Sequence, residues 1–209
     1  MTDRPILFSS AMIRALLAGT KTQTRRLATS KPTQRIEIGD RLWAREGWAC
    51  HWATNDQKPS DIDPDLWTVR YLADNALRPA ARDGSLAEIE QCKLGRPSIF
   101  MPRWASRLTL TVTDKQIQPL QDISEADARA EGLTALSKDG GRLFKFGIPD
   151  CDRLPGNDDN GWAWQHWNTD PVRAYARLWD TLHTTEGERW DDNPDVIALT
   201  FTVEQGGGA

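Results

Sequence analysis

The order of strand-like and helix-like segments along the chain limits its fold more than any other feature of the sequence. Residues 106–117 alternate apolar side chains with threonines, which is typical of a half-buried strand. Strands and helices do not alternate regularly, so parallel βαβ repeats are not expected. We therefore predict an α+β fold, a mixed sheet curled into a small barrel and flanked by short helices. Further strands are predicted at residues 5–9, 41–49, 66–73 and 195–203, with residues 20–27 forming a strand or an extended loop.

Three segments show helical spacing of apolar residues between recognisable start and stop signals. In the last of them, Trp179 lies on the apolar stripe and is therefore expected in the core. The predicted helices cover residues 10–18 with Ser10 as N-cap, residues 124–131 with Ser124 as N-cap, and residues 170–183 with Asp170 as N-cap.

A chain of 209 residues suits one domain with insertions or two small domains. We expect a single domain over residues 1–204 and a flexible tail at 205–209. Insertions are predicted near residues 74–100 and 137–168. The second is rich in Gly, Pro, Asp and Asn, which indicates a long surface segment. Its three tryptophans, Trp162, Trp164 and Trp167, are expected to cap the barrel or to line an opening.

Composition excludes several classes of protein. A formal charge of −4 argues against binding to nucleic acid by bulk charge, and no apolar run is long enough to span a membrane. The first residues lack the pattern of a secretory signal. The three cysteines and three histidines show no disulfide or zinc spacing. We expect a cytoplasmic protein with reduced thiols, no metal site and no membrane partner.

The densest cluster of polar side chains lies at residues 19–26, with the sequence GTKTQTRR. In a regular strand, Thr24 and Arg26 would share one face, and Lys21 and Arg25 would share the other. Lys21 and Thr24 therefore meet only if the segment starts with a turn or a bulge, which Gly19 permits. Spacing alone leaves a solvated basic strand as the alternative.

This cluster resembles the GxKxxTxR signature of the ASCH family, small barrels related to PUA domains. Three other segments are also similar to that family. Residues 38–43 (IGDRLW) look like its GD turn and strand, and residues 120–132 (LQDISEADARAEG) look like its helix. Asn193-Pro194 looks like the lead into its closing strand. Residues 96–110 (RPSIFMPRWASRLTL) are similar to longer ASCH proteins of phages and bacteria.

The resemblance implies a PUA-like barrel with a pocket for a nucleoside or an RNA base. Some ASCH proteins are amidohydrolases that remove an acyl group from N4 of cytidine with a Lys, a Thr and a Glu. By motif, these are Lys21, Thr24 and Glu131 in this chain. The resemblance thus implies an enzyme that needs no metal or other cofactor and acts on a small-molecule nucleoside.

The side chains permit two assignments of the catalytic roles. Thr24 is a nucleophile only if another group accepts its proton. Lys21 is that base only when neutral, which requires burial or neighbouring positive charge such as Arg25 and Arg26. Alternatively, Glu131 activates Thr24 or a water while cationic Lys21 stabilises the oxyanion. The simpler interpretation of Glu131 is an ordinary residue at a helix C-terminus.

Aromatic and charged residues elsewhere are candidates for holding the base. Aromatic rings and guanidinium planes stack on nucleobases, and a carboxylate accepts hydrogen bonds from an exocyclic amine. Core packing is the alternative for each tryptophan. Helix capping is the alternative for residues 8–10, which precede the first helix. The predicted substrate-binding residues are Phe8, Ser9, Arg26, Trp43, Arg45, Glu46, Trp48, Arg103 and Trp104.

A binding module of the same family, which holds RNA or a modified base without turnover, is the alternative function. The acidic balance favours a small neutral ligand over a long phosphate backbone, so RNA is the less favoured partner. RNA cleavage is disfavoured because the sequence shows no pair of histidines to act as acid and base.

Overall fold

The computed structural model describes residues 2–80, 82–149 and 161–206. Cys151, part of the second predicted insertion and residues 207–209 of the predicted tail lie outside the described residues. The helices are α1 (Ser10–Leu17), α2 (Lys31–Gln34), α3 (Glu125–Ala130) and α4 (Pro171–Leu182). The strands are β1 (Asp3–Leu7), β2 (Gln23–Leu27), β3 (Arg41–Arg45), β4 (Trp48–Cys50), β5 (Val69–Tyr71), β6 (Leu77–Arg78), β7 (Leu108–Pro119), β8 (Thr134–Leu136), β9 (Lys145–Gly147) and β10 (Asp195–Gln205).

Sheets and a few helices make this a mixed α+β chain, which confirms the predicted class. The chain forms two compact units. Unit 1 comprises Met1–Arg14, Arg41–Leu110 and Val203–Ala209, and unit 2 comprises Ala15–Asp40 and Thr111–Thr202.

Unit 1 contains a parallel strand pair and an antiparallel three-stranded sheet. Strand β1 pairs with β3, from Asp3 opposite Arg41 to Leu7 opposite Arg45. Strands β4, β5 and β6 follow one another as antiparallel neighbours. The core beneath them consists of apolar residues from strands and short 3-10 turns, namely Trp48, Cys50, Ile62, Val69, Tyr71, Met101 and Ala105.

Unit 2 contains the strand order β7-β10-β2 and a hairpin of β8 and β9. Strand β2 pairs antiparallel with β10, from Leu27 opposite Val196 to Gln23 opposite Thr200. Helix α3 packs against both α4 and β2. This packing brings the end of α3 to the beginning of β2, where the ASCH-like motifs lie.

The predicted helices are confirmed, with one change of cap. Ser124 accepts a hydrogen bond from the Asp127 N–H, and Asp170 accepts from two N–H groups of α4. Trp179 is buried as predicted. The prediction of Ser10 as N-cap is wrong: the Ser9 hydroxyl accepts from the Met12 N–H at 3.5 Å, and Ser10 is the first helical residue.

Three predicted boundaries are wrong. The strand predicted at residues 41–49 is two strands, because the chain leaves β3 at Glu46 and Gly47 before starting β4 in another sheet. The strand predicted at residues 66–73 is only Val69–Tyr71. The predicted tail is ordered at its start, since β10 runs to Gln205.

The second predicted insertion is not only a surface segment. Its residues 145–147 form β9, and Trp167 is buried with its indole N–H donating to the Trp162 carbonyl at 2.9 Å. A Cβ at Gly147 would lie 2.5 Å from the Trp167 ring, so the strand accepts this ring only because residue 147 is glycine.

Candidate active site

Two segments that are distant in sequence meet at the start of β2 in unit 2. Lys21 and Glu131 form an isolated antiparallel bridge. The Thr22 N–H donates to the Ala130 carbonyl at 2.9 Å, which fixes the register beside that bridge. Bridge partners project to the same face of a sheet, so the backbone itself brings the Lys21 and Glu131 side chains together.

Helix α3 and the glycine after it determine where Glu131 lies. Glu131 is the C-cap residue of α3, and its N–H donates to the Asp127 carbonyl at 2.9 Å. Gly132 follows with φ of 100°, a left-handed conformation that side chains disfavour. A Cβ there would lie 2.9 Å from Ala15 Cβ and 3.2 Å from Lys21 Cβ. Glycine is therefore needed to end the helix against Lys21.

We expect Gly132→Ala to lower the free energy of unfolding by roughly 3 kcal/mol, from backbone strain together with overpacking. Urea unfolding measures this loss. Gly39→Ala is the matched control, because Gly39 has φ of 88° but, apart from its own chain neighbours, nothing lies within 4 Å of the point that a Cβ there would occupy. A Gly132→Ala loss no larger than that of the control would show that the contact with Lys21 is not tight.

The Lys21 ammonium is enclosed by protein acceptors. Lys21 is 1% exposed, and Nζ donates to the Gln23 carbonyl at 2.8 Å, the Glu131 carbonyl at 2.7 Å and Glu131 Oε2 at 2.9 Å. Burial lowers the pKa of Lys21, against the raising effect of Glu131, and the charges of Arg26 and Arg25 lower it further. Three protein acceptors therefore replace water around the ammonium group, while its lowered pKa makes Lys21 easier to deprotonate.

The Glu131 carboxylate accepts from several groups. Oε2 faces Lys21, and Oε1 lies 3.3 Å from an Arg25 guanidinium nitrogen. Tyr175, on α4, is also nearby: burial raises its pKa well above the ordinary value, and the charge of Glu131 and a hydrogen bond to it raise it further. Glu131 is 4% exposed, so these protein groups replace its water.

A second layer of polar side chains holds Arg25. Its guanidinium donates to Gln23 Oε1 and lies 3.3 Å from Asp127 Oδ2. Gln23 Nε2 donates to Asp127 Oδ1 at 3.2 Å and to the Thr200 hydroxyl at 3.1 Å. The sequence pattern does not identify Asp127, Thr200 or Tyr175 as site residues, because their distance in sequence from residues 19–26 carries no signal; Gln23 lies within the cluster, but no role was predicted for it.

Thr24 is 1% exposed, and its hydroxyl accepts a hydrogen bond from Arg26 at 3.1 Å. The Arg25 guanidinium donates to the Gln23 side chain, and the Arg26 guanidinium donates to the Thr24 hydroxyl. Residues two apart therefore share a face, as the alternation of a strand predicts. Arg26 is half-buried and electrostatically coupled to the pair. Its charge lowers the pKa of Lys21, and burial lowers the pKa of Arg26 itself against the raising effect of Glu131. The structure thus joins Lys21 directly to Glu131 and holds Thr24 through Arg26.

A cavity of about 620 Å³ lies beside the Lys21–Glu131 bridge. Thr20 and Ala130, which flank the two bridge residues, contribute to its wall, whereas the Lys21 and Glu131 side chains do not. The rest of the wall is mainly apolar and includes Leu133, Phe144 and Phe146.

The other predicted substrate-binding residues belong to unit 1. Arg45 lies over the Trp43 ring at 4.5 Å from its centroid and donates to the Ile99 carbonyl at 3.0 Å. Glu46 is buried, and both of its oxygens accept from Arg107 at 2.9 Å. Base contacts by Trp43, Arg45 and Glu46 stay predictions.

Two of these unit 1 tryptophans pack inside the unit. Trp48 is fully buried in the core with the Trp104 ring edge-on at 5.9 Å, so its ring presents no free face to a base. The prediction that Trp48 stacks on a substrate is wrong for this reason. Trp104 is partly buried against the same core, with Arg78 over its ring at 5.2 Å.

The remaining three predicted contacts have local partners. Arg103 pairs with Asp3 at 3.0 Å, and Phe8 is buried. The Ser9 hydroxyl caps α1, which is the alternative role considered for it.

Both tyrosines of the chain are buried, which gives a prediction for alkaline pH. Burial raises the pKa of Tyr71 to about 12 and that of Tyr175 well above its ordinary value. A tyrosine whose pKa is higher in the folded than in the unfolded state contributes stability that is fully present below its unfolded-state pKa. That contribution is lost as the pH rises through its folded-state pKa. For Tyr71, the loss between pH 10 and pH 12 is about 3 kcal/mol.

Tyrosinate absorbance during an alkaline titration, followed together with circular dichroism, measures this effect. We expect no tyrosine to ionise near pH 10 and the tyrosinate signal to appear only as the fold is lost. If either tyrosine ionises near pH 10 while the protein keeps its native circular dichroism, that tyrosine is not buried as the structure shows.

Within the described residues, no three His, Cys, Asp or Glu side chains converge to hold a metal ion. The described helices include none that is long and apolar enough to cross a membrane.

No protein-family model and no curated protein sequence matches the chain. A solved structure, protein EF3133 of the DUF984 family from Enterococcus faecalis V583, is similar over 99% of this chain and 82% of its own. The TM-score is 0.42 and the sequence identity 10%, a likeness too low to transfer an activity.

Proposed function

We propose that the chain is an amidohydrolase that removes the acyl group from N4-acylated cytidine, as nucleoside or base, with the site in a PUA-like fold. The observation that carries the proposal is the buried ion pair of Lys21 and Glu131, which are 110 positions apart in the sequence. Lys21 lies three residues before Thr24. A buried ion pair is seldom retained for stability alone, because desolvation offsets its attraction. Buried, charge-coupled groups are instead frequent at catalytic sites.

The proposed reaction uses Thr24 as nucleophile. Thr24 Oγ1 attacks the acyl carbonyl carbon, and its proton passes to the Lys21–Glu131 pair. The bond from that carbon to N4 breaks, and the pair returns the proton to N4, which leaves as the cytidine amine. Water then attacks the carbonyl carbon of the Thr24 ester and loses a proton to the pair. The bond from that carbon to Oγ1 breaks, the pair returns the proton to Oγ1, and the carboxylic acid departs.

The cations around the site suit the charge that develops in these steps. With Lys21 in its ammonium form, the three cations Lys21, Arg25 and Arg26 interact with two carboxylates, those of Glu131 and Asp127, so the cluster has one positive charge in excess. A buried positive excess stabilises an oxyanion at the former carbonyl. Arg26, which already donates to the Thr24 hydroxyl, is the group best placed to act on it.

The pH dependence of Glu131→Gln distinguishes the two assignments of the base. Glu131 raises the pKa of Lys21, so its removal lowers that pKa further. If Lys21 is the base, the variant keeps activity, and the rising limb of log(kcat/KM) against pH moves to lower pH. If Glu131 is the base, the folded variant loses activity by about 10²–10⁴-fold at every pH. If Glu131→Gln keeps full activity and the rising limb of its pH profile does not move, both assignments are excluded.

A panel of N4-acylated cytidines, with chromatographic detection of cytidine, tests the proposal. We expect Lys21→Met to reduce kcat/KM by about 10³-fold, with the native circular dichroism retained. Exposed Lys31 provides the matched control Lys31→Met, which should retain the wild-type rate. A gel shift with single-stranded RNA and no release of cytidine by wild type would instead favour the binding module.

A further inference from the structure

Two lysines share one tryptophan ring on the surface of unit 2. Lys138 Nζ lies 5.0 Å and Lys145 Nζ 5.1 Å from the centroid of the Trp164 ring. Trp164 and Lys145 are half-exposed and Lys138 is exposed. These three residues are named the Trp164 platform.

The ring of the platform is held from below. Trp164 packs on Trp167 with a centroid distance of 5.5 Å, and Trp167 is itself buried against Gly147. Gly147 pairs with Thr134 in the β8–β9 hairpin, which also supplies Lys145. The ring therefore has a fixed position without any ligand.

The loop that carries Lys138 is also fixed. The Asp139 carboxylate accepts from the Ser137 hydroxyl at 2.6 Å and from the N–H groups of Arg142 and Leu143, each at 3.0 Å. The Gly141 N–H donates to Ser137 Oγ at 3.0 Å. Asp139, the acidic neighbour of Lys138, thus has its Oδ1 engaged with the loop itself.

The platform concentrates positive charge on an aromatic surface. Across the described residues, neither Lys138 nor Lys145 forms an ion pair with a carboxylate. Both ammonium groups lie over the same ring, so an anion bound there interacts with two positive charges. A further cation–aromatic contact lies two residues earlier in the chain, where Arg177 is 5.6 Å from the centroid of the Trp162 ring.

We propose that the Trp164 platform binds a nucleotide, with the phosphate on Lys138 and Lys145 and the base stacked on Trp164. Lysine ammonium groups bind phosphate as point charges, and an indole face stacks on any base. A bare phosphate would use only the lysines, and a bare nucleoside only the ring. The combination therefore fits a ligand that carries both parts, either a free nucleotide or one unit of a single strand.

This inference does not rest on the proposed deacylation. Adenosine 5′-monophosphate is the probe, because its base differs from the cytosine of the proposed substrate. Isothermal titration calorimetry compares it with adenosine and with inorganic phosphate. We expect the nucleotide to bind at least about tenfold more tightly than either, with an affinity that falls as salt is added.

Variants of the platform test its residues. Lys138→Ala/Lys145→Ala and Trp164→Ala should each weaken nucleotide binding by about tenfold or more. Trp164→Phe, which keeps an aromatic face, should bind more tightly than Trp164→Ala. Exposed Lys93 and Trp52 of unit 1 provide matched controls, Lys93→Ala and Trp52→Ala, which should bind as wild type does.

The outcomes are distinct. Oligoadenylate that binds more tightly than the monophosphate would assign the platform to a single strand, and equal affinity would assign it to a free nucleotide; both support the proposal. The proposal is overturned if the monophosphate binds no more tightly than inorganic phosphate. It is also overturned if the double lysine substitution leaves the affinity for the monophosphate unchanged in folded protein. Thr24→Ala should leave this affinity unchanged, which separates it from the proposed catalysis.

Discussion

Glu131→Gln is expected to lower the free energy of unfolding by about 3–5 kcal/mol. The substitution leaves the buried Lys21 ammonium and the Arg25 guanidinium without the carboxylate that balances both. The glutamine amide also places a donor against one of these two cations. Urea unfolding, analysed with an unchanged m-value, measures the loss.

Glu125→Gln is the matched control for this substitution. Glu125 lies on the same helix, but its side chain is exposed and pairs with Arg129 at 3.6 Å. We expect that control to change stability by no more than about 0.5 kcal/mol. The double variant Lys21→Met/Glu131→Leu should recover much of the loss, because it removes both charges together. A loss below about 1 kcal/mol for Glu131→Gln would show that the pair is not the desolvated pair described above.

Thr24→Ala is expected to reduce kcat/KM for N4-acetylcytidine by about 10³-fold or more, since it removes the proposed nucleophile. The same substitution should cost little stability beyond one hydrogen bond, the one Arg26 donates to the hydroxyl. Activity and stability therefore separate at this position, whereas at Glu131 the substitution lowers stability whichever group is the base.

Thr22→Ala and Thr24→Ser complete this test. Thr22 is exposed and lies two residues away on the same segment, so its substitution should retain the wild-type rate. Thr24→Ser keeps the hydroxyl and should retain a measurable fraction of the rate. Hydrolysis by Thr24→Ala at the wild-type rate would exclude Thr24 as nucleophile and leave a water activated by the pair.

Local signals in the sequence predicted the helices well. Ser124, Asp170 and Gly132 each act on backbone groups within a few residues, so the caps and the end of α3 follow from neighbouring sequence. The Lys21–Glu131 contact is not local, and only the resemblance to a family predicted it. The structure forms it through a backbone bridge that no spacing rule contains.

Contacts between residues distant in sequence explain the break between β3 and β4 and the burial of Trp48, which the sequence pattern did not predict. Residues 41–49 have a strand-like pattern, and the break at Glu46 accompanies the pairing of its carboxylate with Arg107, 61 positions away. Trp48 resembled a stacking residue because its neighbours are charged, but its ring packs on Trp104 in the core. A tryptophan in a core and one beside a ligand have the same sequence surroundings.

The second insertion illustrates the same limit on sequence patterns. Gly147 lies in the glycine-rich segment predicted as surface, whereas its missing side chain is what allows the Trp167 ring to pack against it. Trp164 then lies on Trp167 with two lysines around it. The pattern of polar residues and glycines predicted a surface segment, and tertiary packing made part of it core.

The most direct test of the central claim is the rate at which purified wild-type protein releases cytidine from N4-acetylcytidine, compared with the rate in buffer alone. We predict stoichiometric cytidine and acetate from the wild type, and a loss of that release in folded Thr24→Ala. Folded wild-type protein that releases no cytidine above the buffer rate from any member of the acyl panel would contradict it.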